Sequence, residues 1–334
     1  KKDRKEQGVV MERPGNISQL KESFLTFRPM LVALFFFLPT ALPGLAGWLN
    51  GLLAVPIFLL FQTAAHERRA GEQIRNGLLM AGLGSLLTGR IAMFLFTLTM
   101  LPLGYSLHLS AVRRKSPAET GTNGIITLGC TWLLFWAVYG MFAGINPYLA
   151  LLGDIDAFLE QIMAVYRTSS DLPAEVLYNL ELIIAGIREI MPRILPGILA
   201  AMVLMTVSMN MVVSGVLLRR LAPDKAFWPP YKEWRLPDKL VWLLIIAFAL
   251  MLVGKGVVNT IGLSLALVSG MLYFFQGIAV VIHVLNRWKL PRAFRFFLYV
   301  ILVLQSYGML FAALVGLADT WADFRKLDCE DKTE

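Results

Sequence analysis

Charge is scarce in this chain. Only 16% of its 334 residues are Asp, Glu, Lys or Arg, where a soluble domain carries about 25%. Acid is scarcest at depth: all 23 Asp and Glu residues fall outside the long apolar runs, in the loops between them or near the termini. Proton-coupled carriers keep a carboxylate or histidine at depth, because an expensive buried ionisable group needs a functional reason. The three histidines, His66, His108 and His283, fall near the ends of apolar runs and form neither HxxxH nor HExxH. The patterns that intramembrane proteases and metal enzymes need are therefore missing. The expectation is a non-enzyme with no catalytic residues, no metal ligands and no cofactor. Cysteine is nearly absent too. Cys130 lies in an apolar run and Cys329 in the tail, too far apart to outline a disulfide framework or a metal site. The apolar runs also lack the two-residue alternation of barrel strands.

What is present is apolar sequence, 57% of the chain, in blocks of about 20 residues that match the hydrocarbon thickness at 1.5 Å per helical residue. In lipid each backbone N–H and C=O must be paired within its own span, which makes these blocks helices. Spans are expected at 29–45, 47–65, 76–89, 91–110, 123–143, 194–217, 240–254, 257–285 and 296–318. The fold class is thus all-α, a polytopic bundle of eight or nine transmembrane spans. Pro39, Pro43 and Pro56 interrupt the first two, and Gly82, Gly84 and Gly89 punctuate the third. That third span is short for a full crossing: a tilted helix, a re-entrant piece or half of a broken helix.

A net charge of +8 suggests nucleic acid in a soluble protein. Here the stronger reading is that Lys and Arg hold membrane loops in the cytoplasm, so the expected partner is the lipid bilayer and no nucleic acid. With nine crossings and a cytoplasmic N-terminus, the inside segments 1–28, 66–75, 111–122, 218–239 and 286–295 hold 23 of the 31 basic residues. Eight crossings would move the C-terminus to the inside. The first ten residues are too polar for a signal-peptide core, and Met11 is a candidate start.

The expected organisation is a cytoplasmic N-terminal segment (1–28), a first transmembrane group (29–143), an external amphipathic helical hairpin (144–193), a second transmembrane group (194–318) and a polar tail (319–334). The hairpin segment contains seven acids and three bases. Asn146 and Pro147 read as an N-cap and N1 proline opening a helix to about Tyr166, and Ser170 to Pro173 as the start of a second running to about Ile190. Trp228 to Trp234 forms a basic, aromatic connector suited to the cytoplasmic interface.

The polar residues at depth are neutral: Asn50, Gln62, Asn210, Asn259, Gln276, Gln305 and Ser306. The bland role for each is helix-to-helix hydrogen bonding, worth about 0.6 kcal/mol; the functional one is a neutral-polar pocket for a small ligand. Arg90 and Lys255 sit in tight outward-facing hairpins, where they snorkel to the interface or anchor an anionic ligand group. The candidate ligand-binding residues are Asn50, Arg90, Lys255 and Asn259. Gln276, about 25 Å along the helix from Asn259, is assigned to packing. The small-residue pair Gly47 and Gly51 reads as close helix packing, and the glycines before Arg90 lack the Gly-Lys-Ser/Thr of a nucleotide loop. Asp319 and Arg325, six residues apart, are too far for a one-turn helical pair and are expected to contact other elements.

Several stretches occur in a familiar order: Arg69 to Gly71, Pro196 to Ala201 with Asn210, Trp234 to Asp238, Asn259 with Tyr273 to Gly277, and Gly316 to Arg325. Together they resemble the uncharacterised bacterial inner-membrane family typified by YybS, over nearly the whole chain from about Phe27. That family is similar, distantly, to the substrate-capture (S) components of energy-coupling factor transporters. Such components bind vitamins or related small molecules and dock onto a membrane coupling protein with paired ATPases. The resemblance implies small-molecule binding and transport in the bacterial cytoplasmic (inner) membrane. The alternative is a non-enzymatic membrane scaffold or assembly protein acting through a protein partner.

Overall fold

The computed structural model describes residues 17–168, 173–288 and 290–325, and every regular element among them is helical. Met11, Ser170, Asp171, Cys329 and the tail past Arg325 lie outside the described residues, as does the side chain of Ser306. Four helices among the described residues are long and apolar enough to cross a membrane, or six if each of two bent pairs is one span. The chain divides into two compact units, one ending at Leu98 and the other beginning at Thr99.

The first unit contains α1 (Ile17–Ala41), α2 (Pro43–Ala46), a 3-10 turn (Gly47–Leu52), α3 (Ala54–Thr63), α4 (Glu67–Leu87) and α5 (Ile91–Thr97). Pro43 disfavours helical backbone at Leu42, which leaves the helix at φ −128° and ψ 64°. The chain turns by 111° there, between Arg28–Ala41 and Pro43–Leu52. α4 packs along α1 through its small residues. A Cβ on Gly77 would lie 2.7 Å from the Pro29 carbonyl and one on Gly84 2.9 Å from the Phe37 ring. One turn further, the buried hydroxyls of Thr40 and Ser85 are 3.0 Å apart. Paired positions rise together, so α1 and α4 run parallel and the chain must return between them, through Gly47–Thr63. Val32, Phe36, Leu53, Phe58, Ala70 and Ala81 fill the space within the unit.

The second unit begins with α6 (Met100–Val112) and α7 (Pro117–Ala143). α7 opens on a capping box: Glu119 N donates to Ser116 Oγ (3.3 Å) and Ser116 N to Glu119 Oε2 (3.1 Å), which satisfies two terminal N–H groups. α8 (Pro147–Thr168) starts as its sequence dictates, with Asn146 Oδ1 accepting from Tyr148 N and Leu149 N. It packs on the first turns of α9 (Ala174–Leu221) through Leu159, Met163 and Ile184. Two arginines bridge these arms: Arg167 to Glu160 and Glu181 (3.2 and 3.0 Å), and Arg188 to Asp156 and Glu160 (2.5 and 2.9 Å).

The second arm does not end near Ile190 as expected. α9 runs 48 residues without a break, through Pro192 and Pro196 and into the following apolar stretch. Pro196 has no N–H for the Pro192 carbonyl four residues earlier. The Tyr148 hydroxyl donates to that carbonyl instead (2.7 Å), a repair that lets a helix pass over a proline.

α10 (Leu240–Val253), α11 (Val257–Arg287), α12 (Arg292–Leu304) and α13 (Ser306–Ala322) complete the unit. The expected span 296–318 is two helices, with Ala293–Leu302 and Tyr307–Ala322 bent by 97° at an extended Gln305 (φ −94°, ψ 125°). α11 and α13 cross with their backbones touching. A Cβ on Gly277 would lie 1.7 Å from the Ala312 carbonyl, and one on Gly316 2.0 Å from that of Tyr273. Only glycine permits such an approach.

Candidate functional site

The most elaborate polar cluster among the described residues grows from the end of α13. Asp323 adopts left-handed backbone (φ 39°) and ends the helix, its N–H bonding back to Asp319 O (3.1 Å). This reversal brings Arg325 back over the last turn. Its Nη2 and Nε donate to Asp319 Oδ2 at 2.8 and 3.2 Å, and both side chains are essentially fully buried. Arg325 Nη1 donates to the carbonyls of Lys232 (2.9 Å) and Trp234 (2.7 Å) in the connector. Gln276 on α11 closes the network: its Nε2 donates to Asp319 Oδ2 (3.2 Å), and its Oε1 accepts from Leu236 N (3.3 Å). Nearby, the Tyr231 hydroxyl donates to the Phe275 carbonyl (2.6 Å). Burial pushes the Tyr231 phenol well above its ordinary range, against the opposing pull of Arg325, so it remains a neutral donor.

Two sequence expectations change here. A carboxylate does lie inside an apolar helix: Asp319 belongs to α13, which runs past the end of the hydropathy block. Asp319 and Arg325 also pair directly. The one-turn spacing rule holds within a helix, and this helix ends between the two residues. Arg325 does reach other elements, through the connector carbonyls. Because the buried cation meets a carboxylate and two further acceptors, the pair leaves no net charge uncompensated. The geometry is that of a clamp, tying the end of α13 to the connector and α11; it exposes no reactive group.

The four candidate ligand residues are placed as follows. In the first unit Asn50 lies in the 3-10 turn, half-buried, its Oδ1 buried without a hydrogen-bond partner among the described residues. Arg90 is exposed, and its Nη1 donates to the Thr40 carbonyl (3.3 Å) at the broken end of α1, where helix carbonyls are otherwise left over. In the second unit Lys255 is exposed in the turn between α10 and α11. Asn259, one turn into α11, donates from Nδ2 to the Met251 carbonyl (2.9 Å), closing the end of α10. Lys255 and Asn259 therefore share one turn, and Arg90 and Asn259 both serve frayed helix ends. Gln276, assigned to packing from sequence, does fix packing, as the link between α11, α13 and the connector.

Residues 30–320 match the family described as "Predicted membrane protein (DUF2232)". No curated protein and no solved structure matches the chain. The match spans most of the sequence and coincides with its apolar helices, and the chain belongs to the DUF2232 family of predicted membrane proteins.

Proposed function

We propose that this DUF2232 protein is a multi-pass, small-molecule-binding protein of transport type in the bacterial inner membrane, without covalent chemistry of its own. The observation that carries this reading is the broken first helix. After a 111° turn Gly47–Leu52 takes 3-10 geometry, and within it the Asn50 side-chain oxygen is buried with no partner among the described residues. Membrane proteins tolerate broken helices where freed polar groups line a cavity or meet a ligand, and an unmet buried acceptor costs about 1–3 kcal/mol. A ligand donor relieves that cost. The YybS-like sequence resemblance, with its distant similarity to S components, supports the same reading and gives a membrane coupling protein with ATPases as the partner.

The basic loops support a cytoplasmic N-terminus. Arg325 bonds to connector carbonyls, which supports a reading in which Arg325 and residues 218–239 lie on one side of the membrane. This favours eight crossings with a cytoplasmic C-terminal end over nine. On that orientation the hairpin of α8 and the start of α9 is external.

A second reading, a scaffold acting through a protein partner, is favoured by that hairpin, whose arms are cross-linked by Arg167 and Arg188 while Leu149, Phe158, Tyr178 and Ile183 stay exposed. Thermal stabilisation of the purified full-length chain across a metabolite library separates the two, since a bound ligand raises stability by RT ln(1 + [L]/Kd). The transport reading expects a stabilising compound whose effect Asn50→Ala abolishes. Asn259→Ala, which removes a helix-end bond, lowers the baseline and keeps the ligand shift. No stabilising compound, alongside a stoichiometric protein partner, would favour the scaffold.

A further inference from the structure

At the charged end of the hairpin formed by α6 and α7 lies a cavity of about 240 Å³. Its polar lining is Ser106, Ser110, Arg113, Lys115, Asn123 and Thr127, and no acid among the described residues lines it. Ser110 is buried, and the Thr127 and Ser106 hydroxyls bond each other at 3.2 Å. The loop that carries the cations is fixed. Lys115 N donates to Ser110 O (3.0 Å), Arg114 N to Ala111 O (3.0 Å), and Arg114 takes a left-handed φ of 49°.

The acid nearest in sequence, Glu119, is occupied by Ser116 in the capping box. Neither Arg113 nor Lys115 has an ion-pair partner among the described residues. Two uncompensated cations over a bed of hydroxyls and one amide suit a phosphate oxyanion, since charge-assisted bonds to phosphate oxygens are the strong ones. The volume falls below the roughly 300–1,000 Å³ of pockets that engulf whole ligands, which suits a single phosphate group. Both helices lie in apolar segments long enough to span a bilayer, so the site is at the level where lipid phosphates lie.

We propose that the α6–α7 hairpin binds a phosphate group, with Arg113 and Lys115 matching its charge and Ser110 and Asn123 completing its coordination. The group is supplied by an anionic lipid headgroup or by a free phosphate. The site shares no residue with the Asn50 turn, so either proposal can fail without the other.

The test uses the full-length chain in zwitterionic detergent. It is titrated separately with a short-chain phosphatidylglycerol, with the phosphatidylcholine of equal chain length, and with inorganic phosphate, and binding is read as thermal stabilisation. Stabilisation by phosphatidylglycerol but by neither of the others identifies a lipid headgroup. Stabilisation by inorganic phosphate as well identifies a free phosphate source. In either case affinity should fall roughly fivefold for Arg113→Gln or Lys115→Gln and about 30-fold for both together, at the usual contribution of a basic residue near an anionic surface. Arg68→Gln, on a residue exposed and already paired with Glu72, serves as the charge control and should change nothing. Both single variants alter loop side chains, so they remain readable if the double variant loses its fold. The proposal is overturned if neither phosphatidylglycerol nor inorganic phosphate stabilises the parent, or if the Arg113 and Lys115 variants respond as the parent does.

Discussion

Replacing Asp319 by alanine would leave the Arg325 guanidinium buried, with two carbonyl acceptors but no counter-charge. Breaking one partner of a buried ion pair costs about 3–5 kcal/mol. For a domain the size of the second unit, at ~2–4 °C per kcal/mol, this lowers Tm by roughly 6–20 °C. Arg325→Met should cost as much, because it strips Asp319 of its cation and leaves the Lys232 and Trp234 carbonyls without their donor. Combining Asp319→Ala with Arg325→Met removes both charges, so the double variant should lose less than the sum of the singles, by ~1–3 kcal/mol. The charge swap, Asp319→Arg with Arg325→Asp, should not rescue, because a carboxylate at position 325 cannot donate to the connector carbonyls. Thermal unfolding of the purified full-length variants, followed by size-exclusion chromatography, reads all four. A shift below about 2 °C for Asp319→Ala would show that the pair is exposed or exchangeable and would refute the clamp.

Gly277→Ala and Gly316→Ala each drive a Cβ into facing backbone and should cost ~3 kcal/mol or more, whereas Gly270→Ala on the same α11 meets nothing within 4 Å and should be neutral or slightly stabilising; parallel melts check this. Tyr148→Phe removes the donor that repairs α9 at Pro192 and should cost about 0.5–1.5 kcal/mol, with faster hydrogen exchange confined to residues near 192–196. With Cys130→Ser and Cys329→Ser in place, an impermeant thiol reagent on intact cells should label Glu175→Cys on the hairpin and spare Arg68→Cys and Arg113→Cys; the reverse pattern would overturn the orientation.

The helical membrane class was legible because block length and hydropathy are properties of the chain itself. So was the Asn146–Pro147 start of α8, a purely local signal. The clamp was not legible. Its members lie on α11, the connector and both sides of a helix end, and only the left-handed Asp323 brings Arg325 back to Asp319. Hydropathy also ended the last span one residue before Asp319, so a buried carboxylate passed as a tail residue. The second hairpin helix was expected to end near Ile190, but it continues through Pro192 and Pro196, and the hydroxyl that repairs it, Tyr148, comes from 44 residues earlier. Asn50 was legible as a polar residue in an interrupted span; that its oxygen stays unmatched depends on the 3-10 turn.

Small-molecule binding by this protein requires a ligand that meets that oxygen. An electron cryomicroscopy map of the full-length protein, purified gently and again with a stabilising compound, tests it most directly. Small-molecule density is expected with a donor ~2.7–3.2 Å from Asn50 Oδ1. A map in which a protein donor satisfies Asn50, and the compound binds elsewhere, would contradict it.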